Sequence, residues 1–209
     1  MIAPRHEPQP HWCHPVCCAA AAAPPPGLVL LEIGPGNGAF LDRLATAHPD
    51  RHLIGIELCW QRFIQQQHRC ARHGNVSLYR GNARRTLPLL AQAYPCATIY
   101  INFPDPWPKR KHARNRLLQP DFLTLCAASL APQGELFITT DDHAYAQTVA
   151  RLAADTPQLR NRHVTSWVTH DASAFATYFA TKWQRLGRTI YYQHYEKTVR
   201  TCGRESLPD

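Results

Sequence analysis

At 209 residues the chain is long enough for one domain of ordinary size with a real hydrophobic core. Its 44% hydrophobic content is that of a globular chain and not a disordered one, and no apolar stretch reaches the length of a membrane span. Lysine and arginine outnumber the acids by 23 to 15, a formal charge of +8, which points to a polyanionic partner, most commonly nucleic acid.

Residues 1–26 are rich in Pro, His and Ala and carry no periodic pattern, so they read as an irregular N-terminal arm ahead of a single domain over 27–209. The arm's His11, Cys13, His14, Cys17 and Cys18 lack a second half with finger-like spacing, and no metal site is expected there. The eight cysteines are scattered without a C-x-x-C pair, and Cys96 and Cys126 fall in apolar segments. A reduced, cytoplasmic setting fits this usage better than a disulfide framework. The run "CCAAAAAPPPGLVLL" mimics a secretory signal only superficially, because three prolines interrupt it and no basic start leads it.

From Leu28 short apolar runs alternate with amphipathic segments. Strands are expected over 28–33, 52–57, 76–81, 97–102 and 134–140. Helices are expected over 38–47, 59–72, 84–93, 120–130 and 143–154. This alternation implies an α/β fold, a doubly wound and mostly parallel sheet covered on both faces. Beyond residue 160, "HVTSWVTH" and "RTIYYQHYEK" have the pattern of a closing C-terminal antiparallel hairpin. Ligands of such sheets sit at the carboxyl ends of the strands, so the residues just after each strand are the ones to examine.

After the first strand, "EIGPGNG" places Gly34, Gly36 and Gly38 where a tight turn meets a helix N-terminus. The second strand ends in Glu57, positioned to accept hydrogen bonds from ribose hydroxyls. A dinucleotide and S-adenosylmethionine both satisfy that geometry. The G-x-G-x-G spacing and the acid Glu32 lean toward S-adenosylmethionine, since a carboxylate there repels pyrophosphate but receives an amino group. After the third strand, Asn82 and Ala83 stand where an adenine is held by a side-chain amide and a backbone N–H.

The fourth strand ends in "INFPDPWPKRKHARNR", where Pro104, Pro106 and Pro108 stiffen the loop that carries Asp105. Five positive charges follow within eight residues. A basic run is often only a solvated face, but beside a rigid carboxylate at a cofactor edge phosphate binding is the better reading.

"FPDPWPKRKHARNRLLQPDFL", together with "LLEIGPGNGAFL", "IGIE" and "LAPQGELFITTDDHAYA", resembles the bacterial tRNA (guanine-N7)-methyltransferase family over about residues 28–146. The resemblance implies the Rossmann-like class I S-adenosylmethionine-dependent methyltransferase fold and methyl transfer to N7 of guanine 46 in the tRNA variable loop. It implies S-adenosylmethionine bound by Glu32, Glu57 and Asn82, with Asp105 as the catalytic candidate where cofactor and guanine meet. Lys109 and Asp141 would contact the substrate, and Lys111, His112, Arg114 and Arg116 would grip RNA phosphates. The family's late T-x-x-E motif is best matched at Thr181 to Gln184, so glutamine stands in the place of glutamate. Gln184 keeps open an alternative, a methyltransferase-fold RNA-binding protein with little or no activity, or an enzyme with a different RNA base as target. Both a monomer and a homodimer are compatible with these motifs.

Overall fold

The computed structural model describes residues 28–171 and 178–198, except for the side chains of Arg110, Tyr178, Phe179 and Thr181. The expected arm and its cysteine cluster lie outside the described residues. Of the described cysteines, Cys70, Cys96 and Cys126 are buried and Cys59 is exposed.

Each apolar run becomes a strand because its neighbours bury it on both faces, and each amphipathic segment becomes a helix that supplies one of those covers. In chain order they are β1 (Val29–Ile33), α1 (Ala39–Ala47), β2 (His52–Glu57), α2 (Trp60–Cys70), β3 (Val76–Arg80), α3 (Ala83–Ala93) and β4 (Cys96–Asn102). Then come α4 (Pro120–Ser129), β5 (Leu130–Thr140), α5 (His143–Ala154), β6 (Leu159–Asn161), α6 (Tyr178–Arg185) and β7 (Tyr191–Lys197). The sheet order is β3-β2-β1-β4-β5-β7-β6. The first five strands run parallel, and β7 lies antiparallel between β5 and β6.

One core joins the sheet to Leu87 of α3, Phe122 and Leu123 of α4 and Val149 of α5. A second joins it to Phe40, Leu41 and Leu44 of α1 and Phe63 of α2. Phe122 and Leu123 are wholly inaccessible to solvent, and burying such a side chain stabilises the fold by about 1.5–3 kcal/mol.

The C-terminal end has the expected antiparallel strands, with a different main partner for β7 at the sheet's edge. The strand beside β7 is β6, while "HVTSWVTH" makes only a single bridge, Val168 to Tyr192. Leu159 anchors β6 in the core, and Arg160 and Arg162 both pair with Glu196 of β7; Val164, by contrast, is fully exposed. Two short elements were not anticipated: α6, and a 3-10 segment over Arg110–Asn115 inside the basic run.

Because β1 and β4 are neighbours with connections leaving in opposite directions, the crevice at their carboxyl ends is the topological switch point. The loops after β1, β2, β3, β4 and β5 converge there.

Candidate active site

The loop after β1 turns sharply, with Gly34, Gly36 and Gly38 all in the left-handed region. Glu57, at the end of β2, braces this turn: its Oε2 accepts from the Gly36 N–H at 3.1 Å and its Oε1 from the Cys59 N–H at 2.8 Å. Gln66 of α2 donates to the Gly36 carbonyl at 2.8 Å. The buried Glu57 carboxylate thus ties the glycine turn to α2 and still lines the cleft. After β3, Asn82 caps α3 by accepting from the Arg84 N–H at 2.9 Å, and Ala83 is the first helical residue.

Glu32 lies next to the end of β1 and is 2% exposed. Asn102, the last residue of β4, donates to its Oε1 at 3.1 Å, while Oε2 has no partner among the described residues. Burial pushes the Glu32 carboxyl up to about 8; the Asn102 hydrogen bond works against this and the nearby Glu57 adds to it. A buried acid with one unsatisfied oxygen facing a cleft suits a cationic ligand group, because charge pairing recovers the lost solvation.

The proline-rich loop leaves β4 through Phe103, whose N–H donates to the Thr139 carbonyl at 2.8 Å. Phe103 (φ 50°) and Trp107 (φ 42°) are both left-handed, a conformation that costs bulky residues roughly 1–3 kcal/mol each. The strained pair flanks Asp105, and tertiary contacts hold it: Arg116 Nε donates to the Pro106 carbonyl at 2.7 Å and its Nη2 to the Trp107 carbonyl at 3.3 Å.

Two clefts meet at this loop. One, of about 650 Å³, is lined by Gly34, Glu57, Asn82, Ala83, Asp105 and Arg114 among others. The second, of about 370 Å³, includes Glu32, Gly36, Asn102, Asp105, Asp141 and Trp183. Asp105 is exposed and lines both.

The remaining expected residues fall in three settings. Lys109 and Lys111 are exposed and line neither cleft, and His112 packs edge-on against Trp107 at 5.7 Å. Asp141 lines the second cleft, but its carboxylate is ion-paired with Arg188, whose guanidinium lies 4.2 Å above the Trp183 ring. Gln184 is exposed, lines neither cleft and hydrogen-bonds Tyr192; its neighbour Trp183 faces the second cleft instead. Thr181 belongs to α6, with its side chain outside the described residues.

Residues 26–193 match the family model described as "Putative methyltransferase". A tRNA (guanine-N(7)-)-methyltransferase from Magnetococcus marinus is 34% identical over 173 residues, spanning 81% of this chain and 68% of that one. The chain belongs to the tRNA (guanine-N7)-methyltransferase family. The Thermus thermophilus member is 32% identical over 173 residues, 82% of this chain and 54% of its own length. With shares of 54%, 49% and 39%, the chain spans about half the length of several curated relatives it matches. Among solved structures, a mutant 16S rRNA (adenine(1408)-N(1))-methyltransferase with cosubstrate SAM from Catenulisporales acidiphilia superposes with a TM-score of 0.59. At 19% identity over 83% of this chain and 87% of that one, it shares the fold.

Against this family framework, the sequence left out Asn102, Gln66, Trp183 and Arg188. Asn102 had a local signal, a polar residue ending an apolar strand beside the FPDPW loop. Gln66 and Arg188 act through partners 30 or more residues away, which no local pattern exposes, and Trp183 is placed by the fold of α6 against the second cleft.

Proposed function

We propose that this chain transfers a methyl group from S-adenosylmethionine to N7 of guanine 46 in the variable loop of tRNA. The observation that carries the reading is Asp105, held between two strained residues and shared by both clefts. Family membership and the basic run beside the clefts support RNA as the substrate.

The residues fit the cofactor. Glu32, with its orphan buried oxygen, would receive the amino group; Glu57, Asn82 and Ala83 line the cleft that would take ribose and adenine. When bound there, S-adenosylmethionine supplies a methyl carbon on a sulfonium; the bond to sulfur breaks as the bond to guanine N7 forms, leaving a neutral thioether and a cationic purine. N7 already carries a lone pair, so no base is needed to free it. The protein's contribution is mainly orientation. Asp105 would position the guanine and offset the charge that develops on its ring. Lys109 would contact the substrate from the loop that follows Asp105; Asp141 lines the second cleft, and its release from Arg188 would leave its carboxylate free to accept from guanine N–H groups.

The test is transfer of labelled methyl groups from S-adenosylmethionine to unmodified tRNA, followed by chemical cleavage at 7-methylguanine. Cleavage at position 46 is expected. Asp105→Ala should abolish transfer while cofactor affinity stays within about tenfold, the pattern of a group that acts mainly in the transition state. Label without such cleavage would mean another base, no label would favour an RNA-binding role, and full activity of the variant would remove Asp105 from the mechanism.

A further inference from the structure

We infer that Arg116 is a positioning residue: it clamps the FPDPW loop in its strained form and so sets the Asp105 carboxylate, instead of serving as an RNA contact. This rests on the methyltransferase reading above.

The strain on the loop has to be opposed by something outside it. Phe103 and Trp107 both sit in the left-handed region, and the three prolines between and after them fix φ without donating any hydrogen bond. An unsupported loop of this kind would relax by rotating Phe103 or Trp107 back to negative φ, which would swing Asp105 away. On the β4 side, the Phe103 N–H bond to Thr139 pins the loop. On the far side His112 packs against the Trp107 ring, and the loop's carbonyls are held by Arg116, which reaches back ten residues to donate to the Pro106 carbonyl and to the adjacent Trp107 carbonyl.

The clamp is itself anchored. The Arg116 guanidinium lies 5.2 Å from the ring centroid of Tyr145, and Tyr145 is completely buried. Asp142 fixes the start of α5 by accepting from the Tyr145 N–H at 2.8 Å, and the Tyr145 hydroxyl accepts from the Leu118 N–H at 3.3 Å. A rigid helix start therefore carries an aromatic face, that face seats a guanidinium, and the guanidinium holds two carbonyls on the C-terminal side of Asp105. Arginine suits this task because its planar fork stacks on a ring and donates in two directions at once; lysine offers a point charge without the plane. The other arginine of this stretch that lines the larger cleft, Arg114, is exposed, whereas Arg116 is half-buried and has its donors turned inward.

The test compares the parent with Arg116→Gln and Arg116→Lys in two measurements. The first is steady-state methylation of tRNA. Loss of the clamp should lower kcat by about tenfold to a hundredfold, as misplacement of a reacting group does, with KM for tRNA changed by less than about threefold. Lysine should recover only part of the loss. The second measurement needs no activity: the 19F spectrum of protein labelled with 5-fluorotryptophan, with the Trp107 resonance assigned through Trp107→Phe. In Arg116→Gln that resonance should shift or broaden while the other four of the five tryptophans hold their positions, which also shows that the fold is intact. A raised KM with kcat retained would overturn the proposal in favour of a phosphate contact, and so would an unmoved Trp107 resonance. If the parent methylates no RNA, the proposed function fails while the spectrum still decides the clamp.

Discussion

At the scale of single residues, Glu32 has a cost and a use that one substitution separates. One of its oxygens is held by Asn102 and the other by nothing described, and burial lifts its carboxyl from an ordinary 4.5 to about 8. Between those two values the folded chain holds a proton that the unfolded chain has released, so stability is greatest below 4.5 and declines as pH rises toward 8. Glu32→Gln keeps the shape of the protonated acid without the ionisation. Its melting temperature should therefore exceed the parent's at pH 8 and match it near pH 4.5, with on the order of 2–4 °C gained per kcal/mol relieved. The same variant should bind S-adenosylmethionine more weakly, because a neutral amide does not pair with an ammonium. On the proposed binding mode, charge pairing with the cofactor's amino group would expel the Glu32 proton, so calorimetric affinity should climb as pH rises from 6 to 8. Glu32→Gln should lose that climb. Equal melting of both proteins at pH 8 would mean that the carboxyl is solvated and the argument fails.

At the scale of elements, the glycine turn between β1 and α1 is a unit whose parts come from three strands' worth of sequence. Gly38 is its tightest point: φ is 76°, and a Cβ there would lie 3.1 Å from Gln66 Cγ and 3.2 Å from Gln66 Cα. Gly38→Ala adds left-handed strain of about 1–2 kcal/mol and pushes on the residue that donates to the Gly36 carbonyl. Thermal melting should fall and cofactor affinity should drop with it; an unchanged affinity would separate the turn from the cofactor site. The glycines themselves were legible, because a strand running into G-x-G-x-G states its geometry locally. The Glu57 and Gln66 braces were not, since nothing in a linear pattern says which backbone N–H a carboxylate 21 residues away will accept from. The five parallel strands were legible for the opposite reason: buried on both faces, they had to be nearly continuous apolar runs. The three-residue β6 and the eight-residue α6 are too short to show a period, so the antiparallel C-terminal pairing was legible but the segment that makes most of it at the sheet's edge, Leu159–Asn161, was not.

At the scale of the whole molecule, the 23 basic residues are less available than their number implies. Arg72 pairs with Asp42, Arg84 with Asp121, Arg160 and Arg162 with Glu196, and Arg188 with Asp141. Arg116 is turned onto the loop carbonyls. Among the described residues, Lys109, Lys111 and Arg114 have no carboxylate partner; Arg114 lines the larger cleft and the two lysines are exposed on the same loop that carries Asp105. Free cations near the Asp105 carboxylate are the ones a polyanion reaches first, and each phosphate they neutralise releases condensed counterions. Replacing all three with glutamine should therefore weaken tRNA binding and flatten its salt dependence. The slope of log K against log salt should lose about 2 units, roughly 0.7–0.9 for each charge removed. Replacing Arg160 and Arg162 in the same way should leave the slope near the parent's, since both are engaged by Glu196 and neither lines a cleft. A triple variant with the parent's slope would move the RNA to another face of the molecule and break the link between the basic run and Asp105.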